Sequence, residues 1–536
     1  MRRSWIVYIC VIACAVLMVM PCAAQDASEP GIGSVNTNDL HIEIPPLARS
    51  ITFQGNTLVP SSQLLQASGL KSGQLINEDV LQKAIDRIQA AYQERGYIAA
   101  VTSIDLPKPG QIGTMTINIT ELKIAGIKFE GLKKVRESAV RRVLTTKTGD
   151  LFSREAITRD YIQLQQLGVF AGISSDMEPT QEMGEAMLIW KLDEQTQFNY
   201  ADLGGSYSPQ DSLIGSIDLT FGNLGGYAQK LLVSGEIGSV ESQAGGRIEY
   251  CNPWIAPENT SLKLDLFSLP RYRFSRDLSA VGRYYERRSG FTAEVSHMPE
   301  PSLTLTRGLR YENVIAKNLP STELTDPTLQ SGSLLLASLK AAQDYRNSAT
   351  NPTHGIYTLG FFESGWSDQD NGGSSMIGKL WADRRWYIPL RQQSVKPGAV
   401  GEQSVPVLAV RTMLAGSAGS LPYYEQYFVG GIGDMPLRGY LEGRYWGKYA
   451  MLANAELRYP FTRDIWGVAF VDTGDAWGSE FQYVPGITTQ FSQTNSFSPR
   501  AGAGLGVRYN SPYGQMSIDF AYGDAFRTYF SVGQLF

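Results

Sequence analysis

An arginine and two carboxylates stand at positions where they could form a bidentate ion pair. Asp472 would share one face of a β-strand with Phe470 and Gly474, because side chains two residues apart point to the same side. Glu456 lies in the preceding strand-like segment, and Arg438 precedes both. A guanidinium can bind a carboxylate through two parallel hydrogen bonds. From these residues alone, the preferred interpretation is an exposed hairpin with a solvated Arg438 and with Asp472 serving only the turn.

Residues typical of enzymes and metal sites are sparse. The three histidines, His41, His297 and His354, are far apart in sequence and offer neither a nucleophile with its base nor a zinc or copper site. A glycine cluster at 430–433 could suggest phosphate binding, but no helix signal follows it to supply an anion site. The net charge of −5 argues against nucleic acid as a partner. The sequence therefore predicts no enzyme, no cofactor and no metal site.

The elements that would position these residues are strands. From Phe198 to Phe536 apolar and polar residues alternate with a period of two, as in Ile518 and Phe520 against Ser517 and Asp519. A membrane barrel needs this pattern, with lipid on one face and a polar lumen on the other. A soluble β-sandwich would alternate as well, but aromatic residues at segment ends suit membrane interfaces. At about 10 residues per spanning strand, the region 197–536 predicts a transmembrane antiparallel β-barrel of about sixteen strands.

The N-terminus has the features of an exported protein. Residues 1–24 predict a signal peptide, since Arg2 and Arg3 precede an apolar run that ends in small residues. A membrane anchor is the alternative, but the run is short for a spanning helix. Cleavage would leave Cys251 as the sole thiol, so that no intrachain disulfide could form. Residues 25–48, rich in Ser, Gly, Asn and Pro, predict a linker.

Between the linker and the barrel, one order of elements occurs twice. Residues 49–122 predict a strand, two helices and further strands, with Asn77 capping the second helix and Gly96 just past its end. Residues 123–196 repeat this order, and Gly168 follows the corresponding helix. The repetition predicts two copies of one α+β module, the alternative being two unrelated small domains.

Short stretches of both modules resemble the POTRA domain, the polypeptide-transport module that precedes certain bacterial barrels. In the first module they are ITFQGNT at 51–57, YQERGY at 92–97 and GTMTINITE at 113–121. In the second module they are FEG at 129–131 and LGVF at 167–170. The resemblance implies two periplasmic domains that bind an unfolded, strand-prone polypeptide along an exposed sheet edge.

The segment FVGGIGDMPLRGY at 428–440 resembles a loop that folds back into the lumen in the superfamily of BamA and the two-partner-secretion transporters. The resemblance implies that Leu437, Arg438, Gly439 and Tyr440 form the tip of this loop.

The same resemblance supplies partners for the tip. The stretch FVDTG, with Phe470, Asp472 and Gly474, is similar to the Phe-x-Asp-x-Gly strand motif of the family. We therefore expect Arg438 to pair with Asp472, aided by Glu456, and to hold the loop in the lumen. Such a pair would fix geometry more than it adds stability.

Two further patterns resemble this superfamily. One is a barrel pattern of the BamA and TamA branch, and the other is a C-terminal signal by which barrels are recognised for assembly. A glycine in the last strand would also weaken the seam where the last strand meets the first. The residues concerned are Asp344, Arg346 and Gly355 in the barrel pattern, and Phe530, Gly533 and Phe536 in the C-terminal signal.

Over nearly the whole mature chain, the resemblance implies an outer-membrane polypeptide transporter. Its periplasmic POTRA domains would capture an unfolded β-rich client, and its barrel, in contact with outer-membrane lipid, would either secrete that client or insert it into the membrane. Two POTRA units suit two-partner secretion, whereas the barrel motifs suit the BamA-like assembly branch. The route, the client and any accessory periplasmic or lipoprotein partners stay open. A passive solute channel or structural barrel is the alternative.

Overall fold

The computed structural model describes residues 47–532, and the chain divides into two compact units at Gln195 and Thr196. The predicted signal peptide, most of the predicted linker, Gly533 and Phe536 lie outside the described residues. The gaps within the described range are 109–110, 209–211, 239–243, 257–258, 273–284, 318–330, 350, 371–372, 392–404, 463, 480–494 and 512–513.

The first module is a four-stranded sheet covered by two helices. Its sheet order is β2-β1-β4-β3, with β1 parallel to β4 and β3 antiparallel to it. Apolar side chains of the helices, among them Leu64, Ile88 and Tyr92, pack on Met115 and Ile117 of the sheet to form the core. The elements are β1 (Leu47–Gln54), α1 (Ser61–Ser68), β2 (Gln74–Leu75), α2 (Glu78–Glu94), β3 (Ala99–Asp105) and β4 (Ile112–Glu121).

The second module repeats this plan with three strands in the order β5-β7-β6. Strand β5 runs parallel to β7, as β1 does to β4, and β6 runs antiparallel to β7. No helix among the described residues is both long and apolar enough to cross a membrane. The elements are β5 (Lys123–Glu130), α3 (Glu137–Arg141), α4 (Arg154–Gln166), β6 (Phe170–Pro179) and β7 (Glu185–Glu194).

The helix ends follow from their sequences. The Asn77 side chain accepts a hydrogen bond from the Val80 N–H at 2.9 Å and caps α2. Ser153 caps α4 in the same way through the Ala156 N–H at 3.4 Å. Gly96, just past α2, has a φ of 82°, a left-handed conformation that glycine adopts without steric cost.

The first strand begins earlier than the sequence indicated. Leu47 and Ala48 belong to β1, although the predicted linker 25–48 included them. Leu47 lies opposite Leu75 and Ile112, and Ala48 is fully buried. Pairing on both sides therefore outweighs the loop-like composition that precedes Leu47.

A carboxylate at the end of the last strand fixes the loop after the first strand in the first module. Glu121 Oε1 accepts hydrogen bonds from the backbone N–H groups of Thr57 and Leu58, both at 2.8 Å. It also accepts the Tyr92 hydroxyl at 2.9 Å. Burial, followed by this bond to Glu121, raises the pKa of Tyr92.

Glu194 plays the same part in the second module. Its Oε1 accepts the N–H groups of Lys133 at 2.7 Å, Lys134 at 2.9 Å and Val135 at 2.8 Å. Burial disfavours the charged carboxylate, but these three N–H groups more than offset it and lower the pKa of Glu194. The matching position of Glu121 and Glu194 shows the duplication at the level of single side chains.

The C-terminal unit is one antiparallel sheet of sixteen strands, β8 to β18 followed by β21 to β25, and the predicted barrel is confirmed. Its two end strands, β8 and β25, lie in contact, so that the sheet curls into a barrel. The strands are β8 (Asn199–Ser208), β9 (Ser212–Leu224), β10 (Gln229–Gly238), β11 (Ala244–Ala256), β12 (Thr260–Tyr272), β13 (Tyr285–Glu300), β14 (Leu303–Lys317), β15 (Gly332–Asp344), β16 (Gly355–Gln369), β17 (Gly373–Pro389), β18 (Val407–Ala418), the short strands β19 (Tyr427–Val429) and β20 (Tyr445–Gly447), β21 (Tyr449–Pro460), β22 (Ile465–Trp477), β23 (Arg500–Ser511), β24 (Gly514–Tyr522) and β25 (Phe526–Val532).

The period-two pattern separates an apolar outer face from a polar inner face. In β12, Leu266 is 58% exposed and Asp265 only 4%. In β24, Ile518 and Phe520 are exposed, whereas Asp519 is buried. A barrel in lipid requires this division, and it directs the charged side chains of the wall into the lumen.

We expect Glu194→Gln to lower the free energy of local opening of residues 133–135 by about 1–3 kcal/mol at pH 7, because the charged acceptor of three N–H groups is lost. The folded-state pKa of Glu194 lies below its ordinary value of about 4.3. The stabilisation is therefore complete above about pH 4.3 and is lost as the pH falls through the lowered pKa. Amide hydrogen exchange of residues 133–135 in the full chain measures this stabilisation as a function of pH, after correction for the intrinsic pH dependence of exchange.

Glu182→Gln, at an exposed turn of the same module, is the matched control. Equal exchange at 133–135 in the two variants would contradict the role of Glu194 as acceptor for this turn.

Candidate functional site in the barrel lumen

The connection between β18 and β21, residues 419–448, lies inside the barrel, and we call it the inner loop. It contains a 3₁₀ turn, Tyr423–Glu425, and the strands β19 and β20, which pair with each other in antiparallel fashion. Most of its side chains are buried, and Arg438 is only 1% exposed. The segment that was predicted to fold inward therefore has secondary structure of its own.

Glycines allow the inner loop to turn back on itself. Gly430 and Gly431 have φ values of 139° and 63°. A Cβ on Gly430 would lie 2.2 Å from the Leu441 carbonyl oxygen. The Glu442 carboxylate accepts the Ile432 N–H at 2.9 Å and closes the turn. The glycine cluster at 430–433 therefore serves backbone geometry in this loop.

Arg438 binds the wall through its whole guanidinium. Its Nε and Nη2 donate to the two oxygens of Asp472 at 2.7 and 2.8 Å, a bidentate pair. Its Nη1 donates to Glu456 at 2.7 Å and to Asp519 at 3.2 Å. The Arg438 backbone N–H also donates to Asp472, at 3.1 Å. The structure thus places Asp472 and Glu456 beside the arginine and adds a third carboxylate.

Two wall arginines balance these charges. Arg458 donates to Glu456 at 2.9 Å, and Arg508 donates to Asp519 at 3.1 Å and to Glu456 at 3.4 Å. Three guanidinium groups therefore face three carboxylates, which is the condition under which buried charges are tolerated. We call this group the tip cluster; its members are Arg438, Arg458, Arg508, Glu456, Asp472 and Asp519.

The other predicted tip and strand residues surround the same guanidinium. The Phe470 ring lies under it, with 3.5 Å from the Arg438 Cζ to the ring centroid. Leu437 and Tyr440 are buried in an apolar cluster, and the Tyr440 hydroxyl donates to the Ala501 carbonyl at 2.9 Å. Gly474 permits close strand approach, because a Cβ there would lie 2.7 Å from the Met451 carbonyl oxygen.

A second charged cluster holds the beginning of the inner loop. Glu425, only 3% exposed, accepts hydrogen bonds from Arg288 at 2.9 Å, Arg310 at 3.1 Å and Lys379 at 2.8 Å. Arg288 also donates to the Tyr424 carbonyl at 2.6 Å. We call this group the base cluster; it consists of Glu425, Arg288, Arg310 and Lys379 with the wall carboxylates Glu286, Glu312 and Glu363.

Sequence reasoning missed Asp519 and Glu425 as partners of the loop. Asp519 had a visible signal, since it alternates with the lipid-facing Ile518 and so points inward. Glu425 had a weaker one, an isolated carboxylate in the aromatic run LPYYEQYF at 421–428. A charged residue that points inward can be recognised from sequence, but its partner can be identified only when the register of all the barrel strands is known.

The predicted barrel pattern lies away from these clusters in sequence and shapes a turn. Arg346 pairs bidentately with Asp344, at 2.9 and 2.8 Å, just after β15. Gly355 opens β16 with a φ of 112°, and a Cβ there would lie 2.2 Å from the Tyr345 carbonyl oxygen. Of the predicted C-terminal signal, the described Phe530 is 40% exposed on the outer face.

The lumen keeps a cavity of about 1040 Å³ beside the inner loop. Its lining includes Glu425 of the base cluster, Asp434 and Met435 of the loop, and wall residues such as Asp383 and Arg411. The loop therefore narrows the lumen without filling it.

Comparisons with known proteins agree with this architecture. The family model described as the Omp85 superfamily domain matches residues 223–536. The POTRA model, described as a surface antigen variable number repeat, matches residues 46–121 and 122–195.

Relatives by sequence include proteins of plants and bacteria. The chloroplastic outer envelope protein 80 of Arabidopsis thaliana is 25% identical over 513 residues, which cover 90% of this chain and 66% of that protein. The outer membrane protein assembly factor BamA of Neisseria meningitidis is 21% identical over 535 residues, which cover 88% of this chain and 64% of that protein. The chain thus spans about two thirds of the length of these relatives.

Solved structures share the fold. The crystal structure of BamA from Haemophilus ducreyi lacking POTRA domains 1–3 has a TM-score of 0.58 at 18% identity, covering 91% of this chain and 98% of that one. CdiB from Escherichia coli has a TM-score of 0.59 at 15% identity, covering 94% and 90%.

We expect Asp472→Asn to destabilise the barrel by about 3–5 kcal/mol, because it leaves the Arg438 charge without its bidentate partner. The measurement is the temperature at which the compact barrel converts to the slow-migrating unfolded form on a gel. Asp368→Asn, an exposed position of β16, is the control. Equal conversion temperatures for both variants would contradict the stabilising role of Asp472.

Glu425→Gln should free the start of the inner loop, because three cations lose the carboxylate they share. We expect stronger fluctuations of single-channel current, while the tip cluster keeps its partners. Asp434→Asn, an exposed carboxylate of the same loop, is the matched control. Currents as quiet as those of the control would contradict a holding role for Glu425.

Proposed function

We propose that this chain, which belongs to the Omp85 superfamily, moves unfolded, strand-prone polypeptides into or across the outer membrane. The barrel is an outer-membrane barrel, and its two POTRA domains lie in the periplasm. The observation that carries the proposal is the inner loop, which buried ion pairs hold inside the lumen of a barrel that follows two POTRA domains in the chain.

The POTRA domains supply sheet edges for a client. Strand β3 pairs with β4, and among the described residues no strand occupies its other side. Strand β6 is placed in the same way beside β7. An extended polypeptide could add to such an edge by backbone hydrogen bonds, which suit many sequences because they do not depend on side chains.

The barrel supplies the route. A client that crosses the lumen must pass the inner loop, whereas a client that leaves sideways must pass between β8 and β25. The sequence relatives named as assembly factors favour insertion into the membrane. Insertion needs neither nucleotide nor catalytic residue, because burial of a client's apolar face in lipid is itself favourable.

A passive solute channel is the competing function. The loop and its two clusters narrow the lumen, and a channel would have no use for two POTRA domains. The support for transport is therefore the combination of these features rather than the barrel alone.

Reconstitution in liposomes tests the proposal. A urea-unfolded small outer-membrane barrel serves as client, and the measured quantity is the rate at which it becomes a heat-modifiable folded band. We expect the mature chain to accelerate this folding over protein-free liposomes, and Arg438→Ala to reduce the acceleration about tenfold or more, since the loop loses its main anchor. Arg384→Ala, at an exposed position, is the control.

Two outcomes would contradict the proposal. One is client folding at the rate of protein-free liposomes, together with steady, solute-selective conductance that a client does not alter. The other is full activity of a correctly folded Arg438→Ala barrel, which would remove the loop from the mechanism. A client found protected inside the vesicles, rather than in their membrane, would favour translocation over insertion.

A further inference from the structure

The last strand of the barrel carries one buried tyrosine that faces the inner loop. Strand β25 pairs with β24 through residues 526–532, and on its other side it contacts β8 without a ladder among the described residues. Tyr529 points inward and is 5% exposed, whereas its neighbour Phe530 points outward. Tyr529 therefore reaches from β25 to the inner loop.

The Tyr529 hydroxyl makes two hydrogen bonds to the loop tip. It donates to the Tyr440 carbonyl at 2.6 Å and accepts the Gly439 N–H at 3.1 Å. Both bonds go to backbone groups of the tip, so they can form only while the tip backbone stays in this position. A buried hydroxyl that donates and accepts at once satisfies two backbone groups that would otherwise be buried unpaired.

The turn between β24 and β25 closes around the same tip. The Asp524 N–H donates to the Gly439 carbonyl at 3.2 Å. Gly439 has a φ of 94°, and a Cβ on it would lie 2.5 Å from the Gly523 nitrogen. This close approach is open only to glycine and keeps the Gly439 N–H directed at Tyr529.

We propose that Tyr529 is a positioning residue that ties the terminal strand β25 to the tip of the inner loop. The tip is itself held by carboxylates on β21, β22 and β24 through Arg438. A movement of β25 away from its place must therefore break both Tyr529 bonds or take the tip with it. Release of the tip, in turn, leaves β25 held by its backbone ladder to β24 and by its contact with β8.

This coupling is a property of the barrel and does not depend on the proposed client. It differs from a local structural role, in which the hydroxyl only satisfies its neighbours. A local role predicts effects confined to the place of the substitution, whereas coupling predicts that loosening the tip at Arg438 also loosens β25. Coupling free energies are reciprocal, so the effect must appear in both directions.

Amide hydrogen exchange of the full mature chain in lipid nanodiscs tests the proposal. We expect Tyr529→Phe to accelerate exchange in residues 526–532 and in 436–440 by roughly tenfold or more, because both hydrogen bonds of the hydroxyl are lost. Tyr522→Phe on β24, where the ring is 67% exposed, is the control and should leave both segments unchanged.

Arg438→Lys, which keeps the charge but removes the bidentate geometry, provides the second arm. It should accelerate exchange in β25 as well as in the loop, and in the Tyr529→Phe background it should add little further acceleration in β25. The proposal is overturned if Tyr529→Phe behaves like Tyr522→Phe. It is also overturned if Arg438→Lys accelerates the loop and leaves β25 at the original rate, a result that decides the question even if Tyr529→Phe fails to assemble.

Discussion

A guanidinium enclosed in the barrel lumen, that of Arg438, determines how the inner loop and the barrel wall fit together. Removing a charge from water costs several kcal/mol unless partners of opposite charge receive it. Asp472, Glu456 and Asp519 meet this cost for Arg438, and they come from three different strands of the wall. The arginine can be buried only if these strands hold their register, and the inner loop can fold inward only if the arginine can be buried.

The inner loop is complementary to the wall at two places with opposite signs. Near its start a carboxylate, Glu425, lies among cations of β13, β14 and β17. At its tip a cation lies among carboxylates of β21, β22 and β24. The loop therefore has one preferred direction and position across the lumen. In this arrangement each anchor limits the movement of the other, and the cavity beside the loop remains open.

The alternation of side chains along strands, together with the family resemblance, predicted which way individual side chains point. Alternation is a local property, so the inward direction of Asp472 and Asp519 is readable from sequence. The approach of residues 81 positions apart, as in Arg438 and Asp519, depends on barrel closure and is not readable. The start of β1 at Leu47 was missed because its partners, at 75 and 112, lie far along the chain. The roles of the tip residues in transport stay a proposal.

Chemical labelling shows whether the loop tip is buried inside the folded barrel. Leu437 is fully buried beside Arg438. In a chain that begins at residue 25 and carries Cys251→Ser, a Leu437→Cys side chain should resist a membrane-impermeant maleimide added to either side of the membrane, and should react only after unfolding. Rapid labelling of the folded barrel would show that the tip is open to solvent, and would contradict an infolded loop held against the wall by Arg438.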